Sequence, residues 1–203
     1  MSERQRIAVI DYKAGNATSV LKALRALGQS AEITADPARI TAAGKLVLPG
    51  VGHFQATGRL EASGIAAAIR ESIARGAPFL GICVGMQWLF EGSAEAEGWP
   101  GLGAFPGRCE HFPSAVKAPH VGWNQVRVAP QSRLMRGVES GSYFYYSHSF
   151  RGPVAPQTVA VTDYGGEFSA AVERGNVMGV QFHPEKSGPA GLRVLQNFVE
   201  LAC

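Results

Sequence analysis

The chain has 203 residues, 46% of them apolar and only 17% charged, with a net charge of +3. High apolar content with little charge excludes a disordered chain, and a small, scattered positive charge excludes a nucleic-acid binder. Since about 25% charged is usual, the shortage of charge predicts either a sheet buried on both faces or a surface covered by a partner.

The N-terminal residues up to Ile10 hold an apolar run too short for a signal peptide. Ile7-Ala8-Val9-Ile10 reads instead as a strand buried on both faces. After a turn through Gly15, Asn16 caps a predicted helix whose apolar positions Val20, Leu21, Leu24 and Leu27 follow helical spacing, and Gly28 ends it. Lys45-Leu46-Val47-Leu48 is a second strand, stopped by Pro49-Gly50. Ile65, Ile69 and Ile73 stand four apart in a helix over about 65–75, and Gly76 follows. Phe79-Leu80-Gly81-Ile82 is a third buried strand that runs into Cys83. It lies in the longest uncharged run, 76–90, whose 15 residues fall short of the ~18 apolar residues a membrane helix needs. No membrane partner is expected.

From about Val121 to Val180 the pattern changes to short strand-like runs: Gln125–Val128, Ser142–Tyr146, Val159–Thr162, Ala170–Val172 and Val177–Gln181. Gly, Pro and Asn separate them, which predicts antiparallel hairpins added to the sheet, with Gly175-Asn176 as one turn. A last helix, about 190–201, carries Leu192, Leu195, Phe198 and Val199 on one face. The strand–helix alternation predicts an α/β fold, a three-layer sandwich with a central, mostly parallel sheet and antiparallel strands added in the second half. No linker or repeat interrupts it, so one domain, 1–203, is expected. Cys83, Cys109 and Cys203 are too few and too dispersed for a disulfide framework, which points to a reducing cytoplasm. The histidines His53, His111, His120, His148 and His183 have no ligand spacing and no Cys-x-x-Cys occurs, so neither a metal nor another cofactor is expected.

The sharpest local feature is Gly81-Ile82-Cys83-Val84-Gly85, directly after a buried strand. With 25 Gly and 3 Cys, a shuffled chain of this length would show such a pattern with an expectation of roughly 0.04. Gly-x-nucleophile-x-Gly suits a tight strand-to-helix turn that pushes its central side chain out at the carboxyl edge of a sheet. A helix N-terminus there favours the thiolate, and its backbone N–H groups can hold an oxyanion. The alternative is a small buried cysteine, its commonest fate. A thiol nucleophile needs a base and the base an orienter. His183, in Gln181-Phe182-His183-Pro184-Glu185, has a carboxylate two residues on that can accept from its ring. Pro49-Gly50-Val51-Gly52 leaves another strand on the same edge, where ligands of open α/β sheets bind. It is either a plain turn or a loop that brings N–H groups to a developing negative charge. It is followed by no Gly-Lys-Ser/Thr of a phosphate loop.

Taken together, Gly81-Ile82-Cys83-Val84-Gly85-Met86-Gln87, Gln181-Phe182-His183-Pro184-Glu185-Lys186-Ser187 and Pro49-Gly50-Val51-Gly52 resemble the class I, triad-type glutamine amidotransferases. Pro119-His120-Val121-Gly122-Trp123-Asn124 and Ser147-His148-Ser149-Phe150 narrow the resemblance to glutaminase subunits of imidazole glycerol phosphate synthases, over nearly the whole chain. The resemblance implies glutamine hydrolysis by Cys83, His183 and Glu185, with Val84, Val51 and Gly52 as oxyanion donors. It also implies substrate contacts from Gly50, Gln87, Glu95, Ser147, His148 and Ser149. The ammonia would pass to a (β/α)8-barrel cyclase subunit in a heterodimer, with Asn16, Trp123 and Lys186 near that interface, although Trp123 suits a core equally well. It further implies low glutaminase activity for the isolated chain, with the oxyanion loop misoriented until partner and ligand bind. A paralogous glutaminase serving a different synthase, or another cysteine hydrolase on the same fold, shares much of the pattern.

Overall fold

A computed structural model describes residues 6–202, so Cys203 lies outside the described residues. The uncharged runs become strands with both faces covered. β1 (Ile7–Ile10) is buried throughout, and α1 (Ala17–Ala26) follows it, with Asn16 accepting from Ser19 N at 3.3 Å as its cap. β2 (Ala31–Thr34), α2 (Pro37–Ala42), β3 (Lys45–Gly50), α3 (Gly58–Ala62), α4 (Ile65–Ala74) and β4 (Phe79–Cys83) continue the alternation. Asp36 caps α2 through Ala38 N, with Pro37 at the first helical position, where a missing N–H costs nothing. β2 and α2 are too short, at 4 and 6 residues, to have raised a periodic signal in the sequence.

After α5 (Val84–Gln87) come β5 (Gly92–Ser93), β6 (Arg108–His111), β7 (His120–Gln125), β8 (Arg127–Val128), β9 (Tyr143–His148), β10 (Phe150–Arg151), β11 (Thr158–Asp163), β12 (Glu167–Arg174), β13 (Val177–Val180) and α6 (Gly188–Val199). The main sheet runs β2-β1-β3-β4-β13-β12-β11-β8. Pairing is parallel from β2 to β13 and antiparallel beyond it. The expectation that all second-half strands join this sheet needs correction. β7 and β9 form a separate two-stranded ribbon, and β10, β6 and β5 form a small third sheet. The run read as one strand over Gln125–Val128 breaks at Val126, which is buried and donates its N–H to Ser142 O, so the chain leaves the ribbon there and enters the main sheet as β8.

The chain steps one way from β1 to β2 and the other way from β2 to β3 and β4. Right-handed crossovers then place α1 on one face of the sheet and α2 and α4 on the other. α2 and α4 pack together, while α1 and α6 both meet a 3₁₀ turn at Pro184–Lys186. The reversal of direction opens a crevice beyond the carboxyl ends of the strands. Register does the rest: Gly50 pairs opposite Cys83, and Val180 opposite Ile82, so the chain leaving β13 passes beside Cys83.

Candidate active site

Cys83 ends β4 with φ 55° and ψ −112°, a backbone region that L-residues rarely adopt. The flanking glycines explain how the turn closes. A Cβ on Gly81 would stand 2.4 Å from Gly85 O, and one on Gly85 would stand 1.9 Å from Leu48 O. α5 is only 4 residues long, so the helix dipole expected to favour the thiolate is small, and donors close to the sulfur carry more weight.

His183 and Glu185 arrive from the turn after β13, their side chains 3% and 1% exposed. His183 Nδ1 lies 3.0 Å from Glu185 Oε1, His183 N donates to Tyr145 O at 2.9 Å, and Ser187 Oγ donates to His183 O at 2.6 Å. Burial disfavours the imidazolium. Hydrogen bonds to Cys83 and Glu185, together with the negative charge of both, outweigh burial and push His183 up to about 9. Glu185 Oε2 is buried without a hydrogen-bond partner.

A cavity of about 250 Å³ opens over the sulfur. It is lined by Gly52, Cys83, Val84, Gln87, Glu95, Ser147, His148 and Ser149, all singled out in the sequence, and by Pro119 and Phe150. Gly50 and Val51 do not line it. Gly50 lies opposite Cys83 in the sheet, and Val51 is exposed. Glu95 ties the loop after β3 to the cavity wall, its carboxylate accepting from Phe54 N at 2.7 Å. Gln87 Nε2 donates to Phe150 O at 2.8 Å and to Gln181 Oε1 at 3.1 Å, and Gln181 Nε2 reaches Cys83 Sγ at 3.6 Å. Gln181 was quoted in the sequence motif without a role. The period of two along a strand puts it on the side of His183, which is the signal that could have raised it.

On the inner face of the β7–β9 ribbon, His120 Nδ1 and His148 Nε2 are 3.2 Å apart, and His148 Nδ1 meets Phe150 O at 2.8 Å. A carbonyl only accepts, so Nδ1 of His148 carries the proton and Nε2 accepts from His120. Burial pushes His120 down to about 4. Burial and the positive charges of His120, His183 and Arg151 push His148 down to about 3, against the bond to Phe150 O. Both rings are neutral near pH 7. On the outer face Val121, Trp123 and Tyr143 are each more than half exposed, and Lys186 Nζ sits 5.6 Å above the Tyr145 ring. Trp123, which suited core or surface equally in the sequence, is at the surface. Asn16, read as an interface residue, spends its side-chain oxygen on the α1 cap. Tyr12, at the carboxyl end of β1, is buried with an unpartnered hydroxyl; burial and then the charge of Cys83 push it up. Among the described residues, no group of three or more His, Cys, Asp or Glu is placed to hold a metal ion, and no helix is long and apolar enough to cross a membrane.

A thiol in a strained strand-to-helix turn, backed by an imidazole–carboxylate pair, is the equipment of an acyl-transfer enzyme. The family described as glutamine amidotransferase class-I matches residues 8–202. The imidazole glycerol phosphate synthase subunit HisH of Moorella thermoacetica is 49% identical over 200 residues, covering 96% of this chain and 94% of that one. The HisH subunit of Methanothermobacter thermautotrophicus is 48% identical, covering 96% and 98%. The chain belongs to the HisH family of class I glutamine amidotransferases. Two solved structures share the fold at low identity. A crystal structure of a glutamine amidotransferase superposes with a TM-score of 0.76 at 19% identity, covering 96% and 97% of the two chains. The structure of PurLQS from Thermotoga maritima gives 0.74 at 23%, covering 95% and 96%.

Proposed function

We propose that the chain is the glutaminase subunit of an imidazole glycerol phosphate synthase, acting as one domain in histidine biosynthesis. The observation that carries this reading is the buried Cys83 thiol at the floor of a cavity of about 250 Å³, with the His183–Glu185 pair behind it. Glutamine binds with its γ-amide over the sulfur. The Cys83 thiolate forms a bond to the γ-carbon, and the carbonyl oxygen takes the negative charge. N–H groups of Val84 and of the loop at Val51 and Gly52 meet that charge, a contact worth roughly 3–4 kcal/mol. His183, still an imidazolium at neutral pH, gives its proton to the departing nitrogen as the C–N bond breaks, and ammonia leaves. Water then attacks the γ-glutamyl thioester, His183 takes its proton, and glutamate is released as the thiolate is restored. Glu185 keeps the Nδ1 proton in place and stabilises the charged ring. Gln87, Glu95 and the backbone around Ser147, His148 and Ser149, with Gly50 beneath the loop, hold the rest of the substrate.

Ammonia passes to a (β/α)8-barrel cyclase subunit in a heterodimer. That partner forms imidazole glycerol phosphate and aminoimidazole carboxamide ribotide, the lyase half of the reaction. It docks where Trp123, Lys186 and the α1 end near Asn16 face outward, in the cytoplasm. The test is to mix the chain with such a cyclase and follow glutamate release with and without the cyclase's ligand. Many-fold stimulation is expected. Absence of stimulation would overturn the assigned partner, and release that survives Cys83→Ala would overturn the nucleophile.

A further inference from the structure

A second side chain besides His183 reaches the sulfur. Gln181 follows β13, is fully buried, and holds its Nε2 3.6 Å from Cys83 Sγ. The two ends of an amide are told apart by their partners. Gln87 Nε2 also donates to the carbonyl of Phe150, which only accepts, so Gln87 turns its NH₂ group toward Gln181. Gln181 must therefore offer Oε1 to Gln87 and its own NH₂ group to the sulfur. The chain Phe150 O, Gln87, Gln181, Cys83 has one direction, and it ends in a donor.

We propose that Gln181 is a further catalytic residue, an amide donor that holds the Cys83 thiolate from the buried side, oriented by Gln87. Cys83 is only 2% exposed, so solvent meets little of a thiolate's charge and donors from the protein carry the rest. A backbone neighbour, Ser147 O at 4.0 Å, is an acceptor and can satisfy only the protonated thiol. Loss of the proton therefore exchanges Ser147 O for the Gln181 amide and the imidazolium. The same donor receives the sulfur again when it leaves the thioester. The assignment rests on the reading of Cys83 as nucleophile. The ionisable groups facing the sulfur are Tyr12, from the segment after β1, and His183, from the turn after β13; Glu185 and His148 in turn face His183.

The experiment uses the full chain with Gln181→Met, which keeps length and removes the donor, and Gln181→Asn, which keeps the amide one methylene short. Alkylation of Cys83 by iodoacetamide is followed by peptide mass analysis over a range of pH, alongside thermal unfolding. In Gln181→Met the pH midpoint of alkylation should rise by about one unit and the rate at pH values below the parent's midpoint fall about tenfold, with unfolding within a few degrees of the parent. Gln181→Asn should move the same way. With the partner present, glutamate release should lose kcat at nearly constant KM. An unchanged midpoint in folded Gln181→Met overturns the assignment, and if that variant does not fold, an unchanged midpoint in Gln181→Asn does so. A parent that releases glutamate while the variants keep its alkylation profile refutes Gln181 alone. Release that persists in Cys83→Ala refutes the nucleophile as well.

Discussion

Replacing Glu185 by Gln should move the alkaline limit of activity. In the parent, His183 holds its proton up to about 9 because Cys83 and Glu185 together outweigh the cost of burial. The Nδ1–Oε1 contact is 3.0 Å, between side chains 3% and 1% exposed, so water hardly screens it. A buried hydrogen bond to a charged group is worth about 1.5–3 kcal/mol, and one pKa unit is about 1.4 kcal/mol. The substitution keeps an acceptor but deletes the charge, so the imidazolium limit should fall by about one to two units, to about 7–8. At pH 8 the imidazolium fraction, and with it kcat, should drop roughly 2- to 10-fold. The fold should tolerate the change, because Glu185 Oε2 already lacks a partner and the variant exchanges a half-satisfied charge for a half-satisfied amide. The assay is the pH profile of glutamate release with the partner subunit present, with thermal unfolding as control. An alkaline limit that stays near 9 in a folded Glu185→Gln variant would refute the reasoning.

Other outcomes are expected from the same structure. Gly85→Ala drives a Cβ against Leu48 O, an overpacking cost of about 1–3 kcal/mol that should lower the unfolding temperature by about 3–10 °C in calorimetry and abolish glutamate release by displacing Val84. Stability should peak near pH 6.5. His120 and His148, held near 4 and 3, bind fewer protons folded than unfolded below pH 6.5, so stability falls as pH drops. His183, held near 9, binds more protons folded than unfolded between 6.5 and 9, so stability falls again as pH rises through that window. Urea titrations across pH would check this, and a monotonic curve from pH 5 to 9 would contradict it. Trp123→Ala removes a side chain 55% exposed, so unfolding should shift by no more than about 0.5 kcal/mol, whereas partner-stimulated glutamate release should fall.

The parts legible in the sequence are those whose causes are local. Gly81–Gly85 names its own turn, because the clashes its glycines avoid involve the same strand and its parallel neighbour. His183 and Glu185 are two residues apart and share one turn. What the sequence left out depends on register between distant segments. Gln181 acquires a role only because β13 pairs beside β4, across a separation of 98 residues. The split of Gln125–Val128 depends on Ser142 taking the Val126 N–H, which no periodicity reveals. The N-terminal dipole expected at Cys83 came from an apolar segment that forms a single helical turn, because the chain rises again at Gly92 to build β5 against β6. Trp123 lies on a ribbon whose inner face is filled by His120, Tyr146 and His148. The alternation alone could not say which face was which.

The most direct test of the central claim is the covalent state of Cys83 during turnover. The chain is mixed with the partner subunit and glutamine, quenched in acid, digested and analysed by peptide mass. A single γ-glutamyl group on the peptide that contains Cys83, absent from the Cys83→Ala variant together with glutamate release, is the predicted result. Glutamate release without that adduct on a slowed enzyme, or an adduct on Cys109 in its place, would contradict the account.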